Sequence, residues 1–208
     1  MPTDVKPEAL GRAVTLDAAR QCLNACDAGQ ESNVCTVGAF TCASAGYEFG
    51  REVQLSPIVR VIVLSFLHHG GLFAYGAHGE LLASRDTGSV GSFQVFDFDQ
   101  DGQQELITEE QDGEGTGTET RTYRIYRISA GRFELLWQGL SYSFEGNFQP
   151  PEERQGFIRF VSSGWGDPHI RLVHLEGDTN SGQFSQRVFV MVDGEFREGK
   201  EVTVRGTR

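Results

Sequence analysis

Long apolar runs are missing from this chain. The longest, VIVLSFL at 61–67, is too short to cross a bilayer, so no membrane span is expected. Basic residues are scarce: 18 Lys and Arg stand against 29 Asp and Glu, a formal net charge of -11. That balance argues against nucleic acid and anionic membranes as partners, because both are polyanions, and it suits cations or basic partners. The N-terminal stretch MPTDVKPEALGRAVTL lacks the positive segment and apolar core of a signal peptide. No G-x-S-x-G elbow occurs, so a hydrolase of that type has no support. There is no strict internal repeat, and past residue 51 no helix-length pattern interrupts the chain.

Two glycine-rich matches fail on their own residues. GEFREGK at 194–200 has the G-x-x-x-x-G-K spacing, but Glu201 stands where a Ser or Thr would bind Mg²⁺. Glu195 and Glu198 would also repel phosphate, so a hairpin turn is expected there. GEGTG at 113–117 does not open a helix, which argues against a dinucleotide site. It reads as a loop beside the acidic segment, or as a source of carbonyls for it.

What is present points to β structure. The 208 residues suit one medium domain, or a domain with a small appendage, and include 26 Gly and 15 Phe. From about residue 52, aromatic and β-branched stretches alternate with glycine turns. VQLSPIVRVIVLSFL reads as one buried strand, LFAYGAHGELLAS as a hairpin turning at His78-Gly79, and SFQVFDF and QELITE as the strands around an aspartate loop. The expected fold is mainly β: an antiparallel meander over residues 51–208, arranged as a partial propeller, a sandwich or an open barrel.

Residues 1–50 form a cysteine-rich segment of a different kind. All four cysteines lie here, as Cys22, Cys26, Cys35 and Cys42. TLDAARQCLNACDA, 15–28, reads as a helix capped by Thr15 or Asp17, with Leu16, Ala19, Leu23 and Cys26 on one face. A second helix is expected to run from Ser32 or Asn33 to about Ala45. Spacings of four and seven place each cysteine pair on one helical face. In a helical hairpin Cys26 falls opposite Cys35, and Cys22 lies near Cys42; the other two connectivities stay open. Zinc would call for tighter C-x2-C knuckles. Disulfides imply an oxidising setting (extracellular, periplasmic or cell-surface), with a signal peptide removed beforehand.

The sharpest chemical signal is FDFDQDGQQELI, 96–107. Asp97, Asp99 and Asp101 occupy alternate positions, Gly102 supplies a sharp turn, Gln103 offers a carbonyl and Glu105 follows. From Asp86 to Thr120 the chain holds ten acidic residues and no Lys or Arg. Clustered carboxylates repel unless a cation sits among them or water solvates the turn. A hard cation such as Ca²⁺ takes about six to eight oxygens, which this spacing can supply. An EF-hand would need an acid where Thr108 stands, and flanking helices where strands are expected. The pattern D-x-D-x-D-G-x-x-[DE]-L over residues 97–106 instead resembles the calcium loop of FG-GAP and VCBS repeats, the integrin-α-type family. That resemblance covers one copy of a normally repeated loop. It implies bound Ca²⁺ with a scaffolding role, held by Asp97, Asp99, Asp101, Gln103 and Glu105.

SGWGDPHI, 163–170, gathers Trp165, Asp167 and His169 in a glycine-rich stretch, a candidate edge for a sugar or other ligand. A turn with a packed Trp is the plainer account. The leading expectation is an exported, non-enzymatic, calcium-stabilised β protein that binds a protein or glycan partner. An extracellular hydrolase acting on a polymer, using Asp167, His169 or the acidic loop, ranks second, and a structural subunit of a surface assembly third.

Overall fold

A computed structural model describes residues 15–28, 36–37, 40–41, 46–115, 117–148, 150–162, 170–199 and 202–205. The first element is helix α1 (Leu16–Asp27). The Thr15 hydroxyl caps it, accepting from the Ala18 N–H at 3.3 Å. Leu16, Ala19, Cys22 and Leu23 form its buried stripe. The second helix is not found among the described residues. Residues of that stretch make two short strands, β1 (Thr36–Val37) and β2 (Phe40–Thr41), paired antiparallel. Thr, Val and Phe favour extended backbone, and they prevail here over the seven-residue cysteine spacing. Cys35, Cys42 and any pairing they make lie outside the described residues.

Four strands follow as one antiparallel sheet: β3 (Tyr47–Ser56), β4 (Val59–Phe66), β5 (Gly70–Tyr75) and β6 (Leu81–Thr87). The long apolar run is therefore not one strand. It breaks at Ser56-Pro57-Ile58, where the Ser56 hydroxyl accepts from the Ile58 and Val59 N–H groups at 3.3 and 3.1 Å. Proline has no N–H for a ladder, and the serine closes the turn. Strand β4 is buried on both faces. Ile62, Leu64 and Phe66 meet α1, with Phe73 and Tyr75 of β5, while Val61 and Val63 turn to the opposite cluster. The two-residue alternation of a strand sends each set to its own layer.

The remaining strands form a second antiparallel sheet in which sequence neighbours pair in turn, except that the last pairs with the strand two before it. They are β7 (Val90–Phe96), β8 (Glu105–Gly115), β9 (Thr118–Ser129), β10 (Arg132–Glu145), β11 (Glu152–Ser162), β12 (Ile170–Asp178), β13 (Gln183–Val192), β14 (Glu195–Glu198) and β15 (Val202–Arg205). GEGTG is the tip of the β8–β9 hairpin, with Gly115 opposite Thr118 and Gly117 at φ +84°. It ends β8 at the far end from Glu105, about 3.3 Å per residue away along the strand, so it supplies no carbonyl to the aspartate loop. The turn expected within residues 194–200 falls at their leading edge: Asp193 and Gly194 both take positive φ, as a two-residue turn of this hand requires, Glu195–Glu198 then run on as a strand, and Lys200 lies outside the described residues.

The meander folds back on itself. Strands β9 and β10 pair along their full length, but β10 and β11 pair only from Tyr142↔Gln155 to Glu145↔Glu152. Beyond that point the His174 Nε2–H donates to the Leu140 carbonyl at 2.8 Å, where a ladder bond would otherwise fall. Gly156 permits this approach, since a Cβ there would run into that same carbonyl oxygen. Strands β7–β10 are thus covered twice. Leu106, Tyr126 and Phe133 face the small sheet, and Ile107, Ile125 and Trp137 face Leu172, Phe189 and Met191 of β12–β13. The result is mainly β, layered and open: no ladder joins β7 to β14 or β15 among the described residues. No described helix is long and apolar enough to cross a membrane.

His174 is buried against Trp137, and burial holds its pKa below the ordinary 6.5 even though the Leu140 carbonyl favours its charge. A histidine depressed in the fold protonates first in the unfolded chain. Its contribution is complete above the ordinary value and is lost as pH falls toward the folded one. Urea midpoints at about pH 7.5 and about pH 5 should therefore drop on acidification, and His174→Gln should reduce that drop. An equal drop in the variant would remove His174 as its source.

Candidate metal centre

The aspartate loop joins β7 to β8. Strand alternation carries through its first residues: Phe98 turns inward and is only 1% exposed, which leaves Asp97 and Asp99 on the other side. The Phe98 ring meets Phe96, Phe160 and Phe196 at centroid distances of 5.0, 4.9 and 5.1 Å. Those contacts fix the loop on β11 and β14. Gln100 and Gly102 then take φ of +59° and +86°. Around Gly102 a Cβ would meet nothing within 4 Å, so its glycine is needed for conformation and not for space. The turn is closed by the Gly102 N–H on Asp97 Oδ2 at 3.0 Å and the Gln103 N–H on Asp101 Oδ1 at 2.7 Å. Beyond it, the Gln104 N–H donates to the Leu55 carbonyl at 2.8 Å, which ties the loop to the β3–β4 corner of the other sheet.

Three of the expected carboxylates converge. One oxygen each from Asp97, Asp99 and Glu105 lies within 4.8 Å of the others, a grouping that could hold a metal ion. Asp97 Oδ1 is buried with no hydrogen-bond partner. Asp101 does not join them. It is exposed and spends Oδ1 on its own turn. Gln103 is exposed as well. Trp165, Asp167 and His169 lie outside the described residues.

Glu105 is the deepest member, with 0% exposure. Burial pushes its carboxyl above the usual range, and the Asp99 charge adds to the rise. The Phe98 N–H, on Oε2 at 3.1 Å, pulls the other way. So does Arg127, a residue that sequence patterning passed over. Its Nη2 stands 2.6 Å from both Asp99 Oδ2 and Glu105 Oε1, and its Nε 2.9 Å from that Glu105 oxygen. The ladder explains the meeting: Leu106 pairs with Tyr126, which brings Glu105 and Arg127 side by side on β8 and β9.

The same strand answers a second group of acids. Glu110, 1% exposed, accepts from Arg124 Nη1 at 2.7 Å, from the Tyr126 hydroxyl at 2.9 Å and from the Thr108 hydroxyl at 2.6 Å. Arg124 also binds Asp112. Arg85 lies over the Tyr126 ring at 4.8 Å. Burial, with Glu110 beside it, drives the Tyr126 hydroxyl far above its normal pKa. Both Glu110 oxygens are partnered and the cluster is packed between the sheets, so it reads as structure. The stretch from 86 to 120, free of Lys and Arg in sequence, therefore borrows its positive charge from β9. What remains short of charge is the loop: of its three gathered carboxylates, the Arg127 guanidinium pairs with Asp99 and Glu105 only.

No protein-family model matches this chain, and no curated protein matches it.

Proposed function

We propose that this protein is an exported, non-enzymatic β protein stabilised by one Ca²⁺ in the loop at 97–105, and that it acts as a binding module for a protein or glycan partner. The observation that carries the calcium reading is the partnerless, buried Asp97 Oδ1 among three carboxylates whose oxygens lie within 4.8 Å of one another. Oxygen donors of this kind suit a hard cation. The D-x-D-x-D-G-x-x-E spacing supports the same ion through its resemblance to FG-GAP and VCBS loops. The loop is anchored to both sheets, through Leu55 and through the Phe98 contacts, so binding there would stabilise the packing between layers. A scaffolding ion of this sort favours a binding role over catalysis, and the cysteine-rich N-terminal segment favours an oxidising, extracytoplasmic setting.

Thermal unfolding of chelator-treated protein tests the ion. At a calcium concentration about 100 times the dissociation constant, binding adds about 2.7 kcal/mol. For a chain of this length that corresponds to a rise of roughly 5–10 °C. Asp97→Asn removes a charge without changing shape and should abolish the rise. An equal rise in both proteins would place the ion elsewhere, and no rise in either would leave the loop without one.

A further inference from the structure

The nitrogen between Asp99 and Glu105 occupies a telling position. Arg127 Nη2 lies 2.6 Å from an oxygen of each. A calcium ion shared by those two carboxylates would stand at about 2.3–2.6 Å from the same oxygens. The guanidinium and the ion therefore contend for one place. The other Glu105 oxygen is held by the Phe98 N–H, and Asp97 Oδ2 by the Gly102 N–H, while Asp97 Oδ1 is buried with no hydrogen-bond partner among the described residues. The β13–β14 turn backs the guanidinium, since a Cβ on Gly194 would come within 3.2 Å of Arg127 Nη1.

We infer that Arg127 is the built-in cation of the loop, which calcium must displace from Asp99 and Glu105, so that this arginine sets the ion affinity. The inference rests on the reading of the loop as a calcium site. Its logic is competition: a positive group that keeps the metal-free loop folded also raises the concentration of calcium needed to fill it. Burying the Glu105 carboxylate is costly without a partner charge, and Arg127 supplies that charge. The loop is then ordered in low calcium and exchanges one cation for the other as calcium rises.

Calcium titration calorimetry on chelator-treated wild type, Arg127→Gln and Arg127→Lys tests this. Arg127→Gln should bind calcium about tenfold more tightly or better, within the range typical of coupled equilibria. Its calcium-free melting temperature should fall, and saturating calcium should restore it. Arg127→Lys keeps the charge but loses the fork that spans two carboxylates, so its affinity should fall between the other two. It also provides the comparison if Arg127→Gln does not fold without calcium. Wild-type binding with equal or weaker affinity in the variants would overturn the inference while leaving the calcium site in place. Absence of binding in all three proteins would overturn the site itself, and the displacement with it.

Discussion

Replacing Arg124 with methionine should lower stability by about 3–5 kcal/mol, the cost of leaving one partner of a buried pair without the other. Glu110 is the reason. It sits between the sheets, 1% exposed, with Arg124, Tyr126 and Thr108 around its two oxygens. Methionine fills much of the arginine's volume but offers no charge, so Glu110 is left buried without its cation. Glu110→Gln combined with Arg124→Met removes both charges and should recover much of the loss. Urea unfolding of the two single variants and the double variant measures the coupling. A small loss in Arg124→Met would show that the hydroxyls of Thr108 and Tyr126 are enough to hold the carboxylate.

Phe98→Ala should cost about 3–5 kcal/mol as well, by a different mechanism. The ring is 1% exposed and meets three other aromatic rings from β7, β11 and β14. Truncation opens a cavity where the folded-back strands close over β7–β10. It also frees the backbone between Asp97 and Asp99, and with it the N–H that holds Glu105. The variant should therefore lose calcium affinity along with stability, whereas Phe98→Leu, which keeps most of the packing, should retain the larger share of both. A Phe98→Ala protein with unchanged ion affinity would separate the loop from the core beneath it.

Much of the fold was legible in particular stretches. Thr15 and the stripe of Leu16, Ala19 and Leu23 announce α1, and Gly79 and Gly194 announce two hairpin turns. The run VRVIVLSF announces burial on both faces, and β4 shows it. Other features depended on contacts that no local pattern carries. Pro57 divides an apolar run into a hairpin because Ser56 is there to close it. The cysteine spacing suggested a helix where short paired strands occur instead. The candidate site was half visible. Alternation and the glycine mark Asp97, Asp99 and Glu105, but nothing local separates them from Asp101, which turns back on its own loop. Arg127 was hidden for a physical reason: its role follows from the β8–β9 register, and register is a property of the folded pair.

The Ca²⁺ proposed for the loop at 97–105 can be counted. Equilibrium dialysis against radioactive calcium, on chelator-treated wild type and Asp97→Asn side by side, tests it most directly. Saturation of the wild type near one ion per chain, with binding lost in the variant, is the expected result. No bound calcium at millimolar concentration, or undiminished binding in Asp97→Asn, would contradict it and leave Arg127 as the only cation the loop needs.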